Sequence, residues 1–473
     1  MKRVIVIGGG IAGLAAAHRV TELAEEKSLA LQLTLLEATN RLGGAIATEH
    51  VGDFLVEAGP DSFITEKPWA LRLCERIGLT SRLVSTQSAY QKISIVHGGK
   101  LVELPEGFLL LAPTRVWPFI QSPLFSWPGK LRMALELLQP RGEMEDESLG
   151  AFVRRRFGSE ALERVAQPLV GGIYAADPDK LSLMATMPRF KEMERQQRSV
   201  IYALWSAQRE QAKNRQAGNG ARWSLFVTLG GGMQELVDAI AQRLSAGVVR
   251  LNAPATNLNR NADNTWRVTV GGKEIIEADA VILAAPAFHA GQLLESIATD
   301  AAADLKNISY ASTATVSLAY RSEDFPRAPD SFGFVVPAIE KRKIMACTFS
   351  SLKYSGRAPQ GHILLRAFVG GSLQPELFGA DDQTMEKNVR DELASLLGVT
   401  AQPRFARVWR HPNSMPQYHV GHEARVKRIE TALRQFPSLT LAGSAYHGVG
   451  ISDCVRTGEE AAEKALAGVL ANS

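Results

Sequence analysis

Cysteine is scarce: Cys74, Cys347 and Cys454 are the three in 473 residues. They are odd in number, far apart and fit no metal-ligand spacing. A disulfide framework and a cysteine metal site are therefore excluded, and reduced thiols of a cytosolic protein are expected. No run of 18 apolar residues occurs, which excludes a spanning helix on length. Met1 leads straight into an apolar strand, so no signal peptide is expected. A dominant charge is missing too, with 53 Lys and Arg against 49 Asp and Glu and a formal net charge of +4. That is small for the length and speaks against nucleic acid as a partner. Internal repeats and low-complexity tracts are absent. What remains is ordinary soluble composition, 45% hydrophobic and 22% charged, at a length that implies two or three domains.

The chain opens on its most informative stretch. Val4-Ile5-Val6-Ile7 reads as a strand buried on both faces, as in a parallel sheet. Gly8, Gly10 and Gly13 follow in G-x-G-x-x-G spacing, and a small-residue helix begins at once. Gly8 serves the tight turn, Gly10 lets the backbone approach a pyrophosphate, and Gly13 lets helix and strand pack closely. The helix N-terminus offers N–H groups and a positive dipole end to phosphates. The pattern alone is weak, because a glycine-rich turn of another α/β protein also fits it. A second strand, Leu31 to Leu36, ends in Glu37, about where a βαβ unit places an acid for ribose hydroxyls. An acid there disfavours a 2′-phosphate, and so NADP. Arg41-Leu42-Gly43-Gly44, with Thr48 beyond, puts a second glycine pair just past that acid. FAD enzymes of the glutathione-reductase type carry such a pair, and NAD dehydrogenases generally do not. FAD is the expected cofactor.

Further along, Val51 to Phe63 reads as a short strand and a turn at Gly59-Pro60, and Pro68 to Ile77 as a helix. Ile93–Val96 and Lys100–Leu104 flank a Gly98-Gly99 hairpin. From Gly107 to about Leu138, Leu109-Leu110-Leu111, Val116-Trp117, Phe119-Ile120, Leu124-Phe125 and Trp127 crowd together with prolines. This stretch admits two readings: a greasy surface at the headgroup level of a bilayer, or a core helix pair joined by proline turns. Exposure decides between them. Residues 147–211 have a helical pattern, with Arg154-Arg155-Arg156 read as a solvated face and Gly171 to Pro178 as a break. Ser206 to Gly220 reads as a loose connector. The dinucleotide domain resumes with Leu229 to Gln234, a helix from Glu235 to Leu244, a strand at Val248 to Leu251, a hairpin around Gly271-Gly272, and a buried strand at Asp279 to Ala285. A second insertion follows, and Leu439 to Gly443 with a final helix closes the chain.

At this point the residues resemble a known family. The first glycine motif, Glu37 and Arg41-x-Gly43-Gly44 are shared across the amine-oxidase superfamily of flavoproteins. Glu57-x-Gly59-Pro60-Asp61-Ser62-Phe63, Gly172 to Asp177, Met415-Pro416-Gln417-Tyr418-x-x-Gly421-His422 and Gly448-Val449-Gly450-Ile451-x-Asp453-Cys454 resemble the oxygen-dependent protoporphyrinogen oxidases. That family's bacterial members include enzymes acting on coproporphyrinogen III. The resemblance implies an α/β fold: a Rossmann-type FAD-binding domain with a sheet-based substrate domain and a helical insertion. The expected parts are FAD-binding segments 1–88, 223–288 and 408–473, a substrate-binding domain from 89–108 and 289–407, and a helical, membrane-associating domain at 109–222.

Carried over residue by residue, the phosphate loop is Gly8-Gly9-Gly10-Ile11-Ala12-Gly13, and Glu37 with Ala38 holds the adenosine ribose. Arg41, Gly43, Gly44 and Ala45 form the second cofactor motif, and Gly59, Pro60, Asp61 and Ser62 pass near the flavin ring. Val249 contacts the adenine side through its backbone, Trp409 packs near the cofactor, and Val449, Gly450 and Ile451 cover the flavin end. The plain alternatives are a core role for Trp409 and an ordinary strand role for Val249. Gly172 is expected against the tetrapyrrole, with Val335 and Tyr354 sandwiching its rings; the family usually has Phe where Tyr354 stands. One departure matters. Many members place an Arg for a substrate propionate where this chain has Ile93. Lys92 beside it is the expected substitute, although a Lys is not a bidentate fork.

The implied activity is removal of six hydrogens from a porphyrinogen in heme biosynthesis, three two-electron steps with oxygen reduced to hydrogen peroxide. The substrate is protoporphyrinogen IX or coproporphyrinogen III. No nucleophile–base pattern stands out among the nine histidines, so no catalytic side chain is assigned and the flavin carries the chemistry. No Cys stands in His447-Gly448-Val449-Gly450, which points to non-covalent FAD. Rival readings are an amine oxidase or carotenoid desaturase on the same scaffold, and a flavin-bearing binder without turnover. Expected partners are the porphyrinogen and molecular oxygen, peripheral contact with the inner face of a membrane, a homodimer, and transient contact with the next heme-pathway enzyme.

Overall fold

The computed structural model describes residues 1–109, 112–113, 115–216 and 223–471. Its first sheet is built of five parallel strands in the order Val249–Arg250, Leu31–Leu36, Lys2–Ile7, Ala280–Leu283 and Leu439–Leu441. The run of β-branched residues at its centre is dry on both sides, as the sequence implied. Val4 and Val6 face one core, against the helix Ile11–Glu26 and the C-terminal helix Ile451–Ala471. Ile5 and Ile7 face the other, against Trp266 and its hairpin. The two helices on the first face touch closely, since a Cβ at Gly458 would run into the carbonyl of Ala12.

On the opposite face lies a three-stranded meander whose middle strand turns through Gly271 and Gly272, both at positive φ. The helices Ala287–Leu293 and Thr299–Lys306 pack into this same core with His422–Leu433. The sheet-based insertion therefore leaves the first domain near Tyr310 and not at 289. Its far boundary also shifts, because Phe405–Pro416 is one continuous strand paired with Tyr310–Arg321. A division at 407 would cut that strand, and Trp409 stands on the second sheet.

The second sheet has seven strands, in the order Phe405–Pro416, Tyr310–Arg321, His362–Gly370, Ala346–Phe349, Gly333–Val335, Ile93–His97 and Lys100–Glu103. The helix Asp382–Leu397 covers one face through Met385, Val389 and Leu393. The other face looks towards the first domain and the helical unit.

The helical unit has its own core, centred on Phe152, Phe157, Leu162, Val165 and Phe190. Three sequence expectations change here. Arg156 is fully buried with Glu136, and only Arg154 of the Arg154-Arg155-Arg156 run lies exposed. A charged side chain enters this core because Glu136 accepts its guanidinium and Ser199 and Val200 satisfy the same carboxylate. The connector expected from Ser206 is helix through Gln216, part of Val200–Gln216, and residues 217–220 lie outside the described residues. The greasy stretch divides between its two readings. Phe119, Leu124 and Phe125 are core, whereas Val116, Trp117, Trp127, Leu131 and Leu138 are exposed. Leu110 and Leu111 lie outside the described residues.

Candidate functional site

The first glycine motif forms a cradle. Gly8 sits at φ 112, and a Cβ at Gly13 would strike the carbonyl oxygen of Gly8, so both positions demand glycine. Gly10 differs, because a Cβ there meets nothing within 4 Å. It is the N-cap of Ile11–Glu26, no side chain caps that helix, and no acid sits in its first turn. Open space in front of an uncapped helix N-terminus suits a phosphate, with Ile11, Ala12 and Gly13 supplying the free N–H groups.

The second glycine pair closes on the first. Gly43 N–H donates to Gly9 O at 2.8 Å, and a Cβ at Gly44 would lie 3.3 Å from Gly10 Cα. Arg41 holds this loop by donating to the carbonyls of Leu42, Gly44 and Ile46. Glu37 stands at the end of its strand beside the cradle. Its carboxylate accepts from Gly9 N–H at 2.7 Å and from Thr39. Val249 pairs with Leu35 on the neighbouring strand, and Ala38 and Ala45 are exposed along the same groove.

The groove continues at Gly59, where a Cβ would run into Ala45 O. Here the second sheet contributes side chains that sequence reasoning missed. Thr315 Oγ1 donates to Ala58 O at 2.8 Å, His411 Nε2 reaches the same oxygen at 2.9 Å, and Arg366 Nη1 donates to Gly59 O at 2.6 Å. Three adjacent strands thus clamp two consecutive carbonyls. Burial pulls the His411 pKa down, so the ring is neutral and donates through Nε2. A lone charge at Arg366 inside the apolar strand His362–Gly370 was the available signal, since a buried cation must find partners. Trp409 opposes Thr315 across the strand pair and packs on Phe54, Val56 and Leu364.

Beyond Gly59, Pro60 is exposed. Asp61 accepts from Lys353 Nζ at 3.0 Å and pairs with Arg366 Nη2 at 3.0 Å, and Ser62 Oγ donates to it at 2.7 Å. Burial alone would raise the Asp61 pKa, but the ammonium and guanidinium hold it well below the usual carboxylate range. Tyr354 is 1% exposed, and its hydroxyl is buried beside Ser62.

The C-terminal turn closes the far end. Tyr418 stacks on His422 at 4.0 Å between ring centroids and props the turn, donating to Ser444 O and accepting from Gly448 N–H. Burial lowers the His422 pKa to about 4, which fits a structural, uncharged ring. Gly450 is exposed, and Ile451 begins the final helix. Val449, Val335, Leu169 and Tyr174 all pack, partly buried, against the edge of the helical core. Gly172 lies beside them, with a would-be Cβ 4.0 Å from Val335. Three distant chain segments therefore border one apolar margin of the helical core, the candidate substrate cleft.

Lys92 does not join them. Its ammonium pairs with Glu103 at 3.1 Å, with both side chains about half exposed. Strand alternation puts Ile95 and Val335 on the cleft face and Val96 on the other. Lys92 shares the phase of Val96, so the expected propionate anchor points away from the cleft.

The family model of the flavin-containing amine oxidoreductases matches residues 11–466. The chain belongs to that family. This oxidoreductase is 35% identical over 472 residues to the coproporphyrinogen III oxidase of Bacillus subtilis, covering 98% of each chain. It is 31% identical over 491 residues to the protoporphyrinogen oxidase of Homo sapiens, again covering 98% of each. Among solved structures, an Exiguobacterium sp. 255-15 protein provisionally assigned as a protoporphyrinogen oxidase superposes with a TM-score of 0.85 at 32% identity, over 98% of each chain. UDP-galactopyranose mutase shares the fold alone, with a TM-score of 0.72 at 16% identity over 99% of this chain and 94% of that one. The cofactor of this oxidoreductase is a flavin, and the open space at Gly10 suits a phosphate.

Proposed function

We propose that this oxidoreductase uses FAD to convert a porphyrinogen into the porphyrin, with coproporphyrinogen III as its preferred substrate. The observation that carries the reading is the apolar margin of the helical core to which Val335, Val449, Leu169 and Tyr174, from three distant chain segments, all contribute. A large, mostly apolar macrocycle that gives up hydride suits such a place; a small charged amine does not. The relatives named coproporphyrinogen III oxidase, at 33% to 35% identity, favour the tetracarboxylate over protoporphyrinogen IX.

When bound, the flavin supplies a two-electron acceptor. The balance is one porphyrinogen and three molecules of oxygen giving one porphyrin and three of hydrogen peroxide. The protein's share is positioning and exclusion of water. Gly8 to Gly13 and Gly43-Gly44 would hold the pyrophosphate, and Glu37 and Ala38 the ribose, with Val249 on the adenine side. Thr315, His411 and Arg366 fix Ala58-Gly59, and with them the segment through Pro60, Asp61 and Ser62 that would line the ring. Val449 to Ile451 would cover its end. Gly172, lacking a side chain, lets the macrocycle lie against the helix Gln167–Tyr174, while Val335 and Tyr354 would bracket its rings.

Helical-unit residues support peripheral contact with an anionic membrane. Trp127, Leu131, Leu135 and Leu138 form an exposed stripe, Lys130 and Arg132 flank it, and Glu136, the one acid in 107–142, is buried. Among the described residues no helix is long and apolar enough to cross a membrane. A homodimer and hand-over to the next heme-pathway enzyme remain part of this reading, to be tested by sedimentation and co-purification. The substrate assignment is tested by kcat/KM for the two porphyrinogens. A larger value for coproporphyrinogen III supports it, and turnover of protoporphyrinogen IX alone refutes it.

A further inference from the structure

With Lys92 turned away, the cleft lacks the cation its sequence suggested, yet the structure places an excess of positive charge on the other side of the Gly59–Ser62 segment. Lys353, Arg357 and Arg366 lie there with Glu57 and Asp61, all five side chains at or below 16% exposure. Among the described residues, no further carboxylate pairs with any of the three cations. Arg357 is separately satisfied, resting 4.0 Å from Glu57 and donating to Thr228 and the carbonyl of Leu229. Lys353 and Arg366 then share one carboxylate, Asp61.

Two donors beside them have spare capacity. Arg366 Nε is buried with no partner, and the Tyr354 hydroxyl is buried with Ser62 alone beside it, in residues 5% and 1% exposed. Buried polar groups without partners are rare and call for a ligand or a function. Lys353 Nζ lies 5.6 Å from the ring of Phe226, which is 41% exposed. The ammonium is held by Asp61 and Ser62, and at 16% exposure Lys353 is the most solvent-accessible of the five charged groups.

Resting on the porphyrinogen reading above, we propose that Lys353, backed by Arg366 and the Tyr354 hydroxyl, seats one carboxylate of the substrate. A propionate reaching this point would neutralise the surplus charge and take up the spare donor capacity. The contact is made equally before and during oxidation, so its loss falls on KM and not on kcat.

The test measures coproporphyrin III and its tetramethyl ester by quenching of their fluorescence on the flavin-loaded enzyme, alongside KM and kcat for coproporphyrinogen III. Wild type is expected to prefer the free acid. Lys353→Met is expected to lose that preference and to raise KM roughly tenfold to a hundredfold, the worth of a desolvated charge-assisted hydrogen bond. Lys353→Arg is expected to keep both, and the 450 nm flavin absorbance and thermal midpoint confirm that each variant is folded. A Lys353→Met enzyme with wild-type KM and preference overturns the proposal. So does a fall in kcat at unchanged KM, which would assign the charge to the cofactor. Failure of wild type to bind either porphyrin would instead bring down the porphyrinogen reading and this seat with it.

Discussion

Replacing Gly10 with Val separates the cofactor role of the first loop from its structural role. The two neighbouring glycines cannot serve, because Gly8 has a positive φ and a Cβ at Gly13 collides with Gly8 O. Gly10 has φ −70 and ψ 176, which any residue adopts, and open space beyond its Cβ. The apoprotein is therefore expected to unfold within about 1 kcal/mol of wild type. Flavin binding should suffer heavily, because the isopropyl group fills the place in front of the helix N-terminus. Two charge-assisted hydrogen bonds lost, at ~1.5–3 kcal/mol each, weaken affinity by roughly 10²- to 10⁴-fold. The assay is the ratio of absorbance at 450 and 280 nm after purification, with apoprotein melting as control. Colourless protein with an unchanged apoprotein midpoint is expected. A yellow, active Gly10→Val enzyme would refute the assignment of this loop to the pyrophosphate.

Changing Trp127, Leu131 and Leu138 together to Ser should abolish flotation with anionic liposomes while leaving the fold intact. If wild type itself stays at the bottom of the gradient, the stripe has another partner. Lys92→Met should match wild type in KM for coproporphyrinogen III, as its ammonium faces Glu103; a rise of tenfold or more would restore it as the anchor. Burial keeps His422 neutral, with a folded-state pKa of about 4. A depressed histidine pKa means that the unfolded chain takes up the proton first, so stability drains as pH falls from about 6.5 towards 4. His422→Gln should flatten that part of the melting profile, and an unchanged slope would count against the argument.

The parts that were legible in the sequence are those whose chemistry is local. Gly8 to Gly13, the strand before them and Glu37 lie within one βαβ unit, where short-range spacing dictates geometry. The clamp on Ala58 and Gly59 was not legible, because Thr315, Arg366 and His411 reach it across more than 250 residues and only strand pairing brings them together. Lys92 shows a related failure. Its neighbour Ile93 occupies the expected position, but strand alternation sends the two side chains to opposite faces. The greasy stretch was ambiguous because hydrophobicity fixes neither face. Phe119 and Phe125 pack on each other with ring centroids 5.4 Å apart, while Trp117 and Trp127 a few residues away stand in solvent. Arg156 misled because its buried partner Glu136 stands on another helical element, 20 residues earlier, and the run of three arginines gives no sign of which one turns inward.

The central claim is that the cleft oxidises a porphyrinogen on bound flavin with oxygen as acceptor. The most direct measurement is the stoichiometry of the purified enzyme with coproporphyrinogen III in air, counting porphyrin by fluorescence and peroxide by a coupled peroxidase. The account predicts three hydrogen peroxide per porphyrin and no porphyrin above the spontaneous background when oxygen is excluded beyond the first reduction of the flavin. Peroxide formed from a primary amine, with none above background from either porphyrinogen, would contradict it.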